Sequence, residues 1–160
     1  MIRLIDGALL ETVSQRATIN PRRRQNFNFH PTEDFPGHRL LNAIEPDSYV
    51  MPHRHLDPIK DESMVILRGR LGLLIFDDAG AVTRTAILAP ATATVGADIP
   101  HGTWHAVLAL DPGTVFFEAK SGPYRPLNEA ECASWAPHEG DAAVADYLLE
   151  LRALFDASAK

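Results

Sequence analysis

The amino-acid sequence predicts an all-β domain, an antiparallel sandwich or barrel, with a short helix at each end. Two observations lead there. Between residues 24 and 120 the chain breaks into short runs of β-branched and apolar residues separated by Gly, Pro and Asp. That is the pattern of closely spaced antiparallel strands, and it differs from alternating βαβ units. Outside that stretch, apolar residues recur at helical spacing instead.

Taken in order, Leu9, Leu10, Val13 and Ala17 share one helix face and Asp6 suits an N-cap. A helix is therefore expected over 6–17, stopped by Asn20-Pro21. Strands are expected over 25–29, 39–44, 49–52, 63–68, 71–76, 83–88, 94–99, 103–109 and 114–120. Arg68-Gly69-Arg70 and Asp77-Asp78-Ala79-Gly80 read as tight turns, with Gly80 supplying a positive φ. After Gly122-Pro123, the spacing of Val144, Leu148, Leu151 and Phe155 predicts an amphipathic helix over 141–157. The expected organisation is one structural domain: an N-terminal helix in 1–21, a barrel in 22–122 and a C-terminal extension in 123–160.

Composition narrows the function classes. A chain of 160 residues, 46% hydrophobic, can bury a core and is too apolar to be wholly disordered. No apolar run approaches the roughly 20 residues of a spanning helix, so no membrane is expected among its partners. Residues 1–10 lack the apolar region of a secretory signal. A net charge of −6 argues against nucleic acid as a partner. The single cysteine, Cys132, cannot form an internal disulfide and suits a cytoplasmic protein. Seven histidines against one cysteine mean that any metal would be held by imidazole and carboxylate.

Two stretches concentrate those histidines: Tyr49-Val50-Met51-Pro52-His53-Arg54-His55, and Pro100-His101-Gly102-Thr103-Trp104-His105. Alternate side chains of a strand share a face, so His53 and His55 can point together into a barrel. A carboxylate and a third imidazole from neighbouring strands would complete a three-His, one-carboxylate site. Such a site suits Fe(II), Mn(II), Zn(II), Ni(II) or Co(II), whereas calcium and magnesium prefer all-oxygen shells. A lone His-x-His in a strand is more often a surface pair. Here, however, a tight turn feeds a histidine into a strand in both halves of the β-region.

These stretches resemble the two motifs of the cupin superfamily, Gly-x5-His-x-His-x(3,4)-Glu-x6-Gly and Gly-x5-Pro-x-Gly-x2-His-x3-Asn. The resemblance implies a single cupin (jelly-roll) β-barrel with short N- and C-terminal helices. It also implies one divalent transition metal held by His53, His55, Glu62 and His105. Asp47, Thr94 and Ala109 replace the motifs' flanking Gly, Gly and Asn. The gap from His55 to Glu62 is six residues instead of three or four, while Glu62 keeps its register with Gly69. The extra length is expected to form a bulged loop at the barrel mouth, with Asp61 and Asp57 as alternative ligands to Glu62. Leu4-Ile5-Asp6-Gly7-Ala8-Leu9-Leu10, the run from Pro21 to His30, Arg39-Leu40-Leu41-Asn42-Ala43 and Trp135-Ala136-Pro137 are similar to the WbuC family of small cupin-fold metalloproteins. That similarity runs from about residue 4 to about residue 150 and implies a role near O-antigen and other surface-polysaccharide metabolism.

Residues 22–30 form a basic, amide-rich segment in which Arg24, Asn26, Asn28 and His30 alternate with Phe27 and Phe29. The functional reading lines the cavity with Arg24, Asn26 and Asn28 and grips a small anionic ligand there. The competing reading is a solvated edge strand. Tyr49 shares parity with His53 and would form cavity wall, and His30 is the candidate general base. Trp104 reads as core, and Trp135 with Pro137 as a pin for the C-terminal segment. His38 and His138 read as solvated. Three functions fit: an enzyme acting on a sugar or nucleotide sugar by isomerisation or epimerisation, an Fe(II) dioxygenase, or a non-catalytic metabolite-binding or sensor module. A homodimer formed by sheet extension along the strand at 24–30 is expected.

Overall fold

The computed structural model describes residues 2–156. Eight strands form two antiparallel sheets. They are β1 (Arg24–Asn28), β2 (Gly37–Ile44), β3 (Glu62–Arg68), β4 (Leu71–Phe76), β5 (Val82–Leu88), β6 (Gly96–Ile99), β7 (His105–Ala109) and β8 (Thr114–Ser121). One sheet runs β1-β2-β8-β3-β6 and the other β5-β4-β7. The two form an open jelly-roll sandwich, and no closed barrel is made. Helix α1 (Gly7–Ile19) precedes the sheets and α2 (Val144–Asp156) follows them. Position 157, where the sequence places the end of the second helix, lies outside the described residues.

Period-two patterning explains the layers. Ile44, Met64, Ile66, Leu71, Leu73, Val107 and Phe116 point between the sheets and form the central core. The opposite parity is not left to water. Leu41, Ala43 and Val115 meet Val13 and Ala17 of α1, and Leu74, Phe76 and Leu108 meet Leu151 and Phe155 of α2. Each helix thus covers the outer face of one sheet, which is why these strands are apolar on both faces. Asp6 caps α1 by accepting from the Leu9 N–H at 2.9 Å, as its position predicts. The two expected turns also form, with φ of 75° at Gly69 and 87° at Gly80. At Gly69 a Cβ would collide with Thr114 as well, so only glycine fits.

One expected strand is missing. Residues 49–52 run as irregular chain, and only His53 pairs, in isolated bridges to His105 and Cys132. Pro46 and Pro52 have no N–H to give a ladder, so pairing is confined to the residue after the second proline. The ends of other strands shift by a few residues: positions 94–95 and 103–104 are loop. A 3-10 turn at Glu129–Glu131, absent from the sequence reading, anchors the C-terminal segment.

Candidate metal centre

Separate pieces of chain bring the histidines together. His53 and His105 exchange backbone hydrogen bonds, each 2.9 Å, which sets their ring centroids 4.5 Å apart. His55 is held by its carbonyl, which accepts from the Gly102 N–H. The Gly102 turn, φ 79°, therefore clamps the first histidine stretch to the second. Glu62 opens β3, in register with Ile99 of β6 and Lys120 of β8. The extra length of the six-residue gap is absorbed by a turn in which the Lys60 N–H donates to Asp57 O. Its entry is fixed by the Leu56 N–H donating to Glu131 Oε1 at 2.9 Å. Glu62 consequently keeps the inward face that its register with Gly69 predicts.

One ligand atom each from His53, His55 and Glu62 lies within 4.8 Å of the others. Glu62 stands between two imidazoles: Oε1 is 3.1 Å from His55 Nε2, and Oε2 is 3.1 Å from His105 Nε2. The alternative carboxylates are elsewhere. Asp61 is exposed and bound to the backbone and ring of His101, and Asp57 closes its own loop on the Ile59 N–H.

The protons of the histidines are assigned by their partners. His53 Nδ1 is 3.0 Å from Met51 O and His105 Nδ1 is 2.9 Å from Thr103 O. A carbonyl only accepts, so both Nδ1 atoms carry the proton and both Nε2 atoms face inward, that of His105 against Glu62 Oε2. His55 Nε2 is buried with no hydrogen-bond partner. Burial, then the neighbouring His105, pushes the His53 pKa down to about 3, so its ring is neutral. Imidazoles whose Nε2 atoms face inward, two of them anchored through Nδ1–H to backbone carbonyls, together with one carboxylate form a donor set that fits a borderline divalent metal.

Next to this set lies a charged network that the sequence reading missed. Lys120 Nζ is 2.6 Å from Glu62 Oε1 and 2.7 Å from Glu118 Oε1. Asn42 Nδ2 donates to Glu118 Oε2 at 2.7 Å. Burial works to raise the pKa of Glu62, but His105, His55 and Lys120 more than reverse it and hold the carboxylate ionised. Burial raises Glu118, with Lys120 only partly opposing it. Burial alone would lower Lys120, and the two carboxylates instead raise it, keeping the ammonium charged. A signal was available: on β8, Glu118 and Lys120 share parity with the core residue Phe116.

His53, Glu62, His105 and this network open into a cavity of about 190 Å³ that Arg24, Asn26, Val50, Met64 and Phe116 also line. Arg24 and Asn26 therefore reach it as expected. The Arg24 guanidinium, however, is tied to Glu139 Oε2 and Tyr49 O, each at 2.9 Å, and does not offer a free fork. Three expectations are corrected. Tyr49 is buried away from the cavity, its hydroxyl donating to Pro137 O at 2.8 Å, because segment 49–52 is not a strand and parity fails there. Asn28 and His30 line an adjoining cavity of about 290 Å³ with Lys120 and Tyr124. His30 is stacked on His38, ring centroids 3.9 Å apart, with Nδ1 against the Arg39 backbone. His38 is not solvated: on β2 it shares the buried parity of Leu40. Trp104 and Trp135 pack together in the outer cluster under α2, as read.

The family described as a domain of unknown function, DUF6016, matches residues 5–88, over half of the chain. The chain belongs to the DUF6016 family. The match spans α1 to β5 and so includes His53, His55 and Glu62, leaving His105 outside. No curated protein matches this DUF6016 member. Among solved structures it is similar to KdgF from a Halomonas species, at 20% identity over 67% of this chain and 85% of that one, TM-score 0.51. It is also similar to the conserved SPY1581 protein of unknown function from Streptococcus pyogenes, at 14% identity over 78% and 91%, TM-score 0.53. Protein SO0799 from Shewanella oneidensis matches at 14% identity over 66% and 72%, TM-score 0.52. These likenesses give the fold, a cupin-type jelly roll. No helix among the described residues is long and apolar enough to cross a membrane.

Proposed function

We propose that this DUF6016 protein is a metal-dependent cupin. In this reading His53, His55, Glu62 and His105 hold one divalent transition metal, Fe, Mn, Zn, Ni or Co. The cavity beside them takes a small anionic, sugar-related metabolite of surface-polysaccharide metabolism. The observation that carries the metal is the buried Nε2 of His55. It has no hydrogen-bond partner and lies 3.1 Å from an ionised carboxylate, in a set whose other two imidazoles have their Nδ1–H groups engaged. A buried polar atom without a partner costs stability unless something absent from the chain satisfies it. A divalent metal there supplies a Lewis acid for an oxygen donor of the ligand. The chain's residues would do the rest: Asn26 and Asn42 offer amides along the wall, and Lys120 holds Glu62 ionised. The polysaccharide context is supported by the WbuC-like resemblance.

Elemental analysis after anaerobic purification and metal repletion tests the reading. About one equivalent of one of the five metals is expected. His53→Ala and His105→Ala should each weaken metal binding by more than the roughly 10–100-fold typical of losing an outer partner. Metal well below one equivalent after repletion, or variants that bind as the parent does, would refute it. Turnover of nucleotide sugars by the metal-loaded protein would make it an enzyme, and binding without turnover a binding module.

A further inference from the structure

The ligand set is reached from a second side. His53 and His55 also line a depression of about 180 Å³, together with Lys60, Lys120, Tyr124 and Arg125. No acidic residue lines it, although the chain as a whole carries −6. Among the described residues Lys60 makes no ion pair, and its Nζ donates one hydrogen bond, to Pro123 O at 3.0 Å. Two of its three donors remain. Arg125 uses one nitrogen only: its Nη1 donates to Tyr124 O at 2.8 Å and meets Asp34 at 3.4 Å in a largely exposed, screened contact. Its Nε and Nη2 have no partner among the described residues. Lys120 is committed to Glu62 and Glu118. Arg24, the cation singled out by the sequence, is committed to Glu139. The free positive charge beside the histidines therefore belongs to Lys60 and Arg125.

Size limits what fits. At about 30 Å³ per water, the depression holds about six waters' worth of volume. We propose that it binds a small carboxylate, gripped by Lys60 and Arg125 and presented to His53 and His55. A planar carboxylate suits an arginine fork, and charge-assisted bonds from the two cations are the strong class of hydrogen bond. The inference deepens the proposed function and rests on it only for what lies beyond His53 and His55.

Calorimetric titration of malonate into the full-length protein tests it, with malonamide as a neutral analogue and inorganic phosphate as the rival oxyanion. Saturable malonate binding is expected, at least tenfold tighter than malonamide or phosphate. The Lys60→Gln/Arg125→Gln variant should weaken malonate at least tenfold while keeping its metal content and Tm. Arg16→Gln, on the exposed face of α1, should change nothing. Should the double variant fold poorly, each single variant should still lose several-fold. Equal affinity for malonate and malonamide, tighter phosphate binding, or a variant within twofold of the parent overturns the proposal. The same titration on metal-free protein separates the two claims. Loss of malonate binding on Lys60/Arg125 substitution there upholds the carboxylate site even if metal analysis refutes the metal.

Discussion

Glu62–Lys120–Glu118 and Arg22–Glu139–Arg24 are mirror images in charge. In the first an ammonium sits between two carboxylates, and in the second a carboxylate sits between two guanidinium groups. The contact distances are alike, 2.6 and 2.7 Å against 2.6 and 2.9 Å. Their surroundings are opposite. The Glu62 and Glu118 side chains are 5% and 10% exposed, whereas Glu139 is 41% exposed and Arg22 61%. Charges taken out of water cost more than their attraction returns, and an apolar trio of the same volume would often be more stable. The buried triad therefore signals a site, since stability alone does not favour it. The exposed one is a clasp, tying the residues around the start of β1 to the loop ahead of α2.

Lys120→Met should separate the two most sharply. It leaves Glu62 and Glu118 facing each other with no cation, and the metal-free protein should lose about 3–5 kcal/mol in urea unfolding. Divalent metal should narrow that loss, because a cation returns to Glu62. A loss below about 1 kcal/mol would put the buried triad in the same class as the clasp. A smaller effect is expected at its edge. Asn42→Ala removes the donor to Glu118 Oε2 and should cost about 1–3 kcal/mol, the penalty of a buried acceptor left alone. Denaturant midpoints at constant m-value measure both.

The same contrast explains what the sequence disclosed. His53, His55 and His105 could be singled out as candidate ligands because histidines set on adjacent residues and tight turns are local information. Glu62 was legible by its spacing to Gly69, and the extra residues before it close into a turn without disturbing β3. Lys120 and Glu118 carry no motif, although parity with Phe116 along the strand expected over 114–120 places both on the inner face. His38 lies just outside the strand expected over 39–44, and its parity with Leu40 appears only because β2 begins at Gly37. Tyr49 failed for a different reason. Prolines at 46 and 52 cancel the strand on which its parity rested, and no alternation survives without a ladder. The commitment of Arg24 could not be read at all, since its partner lies 115 residues away. The layers themselves were legible from period-two patterning, but the covering of both outer faces by helices appears only when strands that are apolar on both sides are recognised as such.

The weakest effect is expected at the clasp, and its pH dependence fixes the sign. Arg22 first, and then Arg24, hold the Glu139 carboxyl down to about 2 from its ordinary 4.5, against the opposing pull of partial burial. A folded-state pKa below the unfolded one adds stability that is fully present above about 4.5 and is lost as pH falls toward about 2. At 41% exposure that contribution is screened by solvent to less than about 1 kcal/mol. Glu139→Gln should therefore cost under about 1 kcal/mol at pH 7. Its difference from the parent should close as pH falls from 4.5 to 2 and should also shrink in about 1 M salt. The Lys120→Met deficit, shielded from solvent, should persist in that salt. A salt-insensitive Glu139→Gln loss above about 2 kcal/mol would make the clasp as structural as the buried triad, and burial would no longer be what distinguishes them.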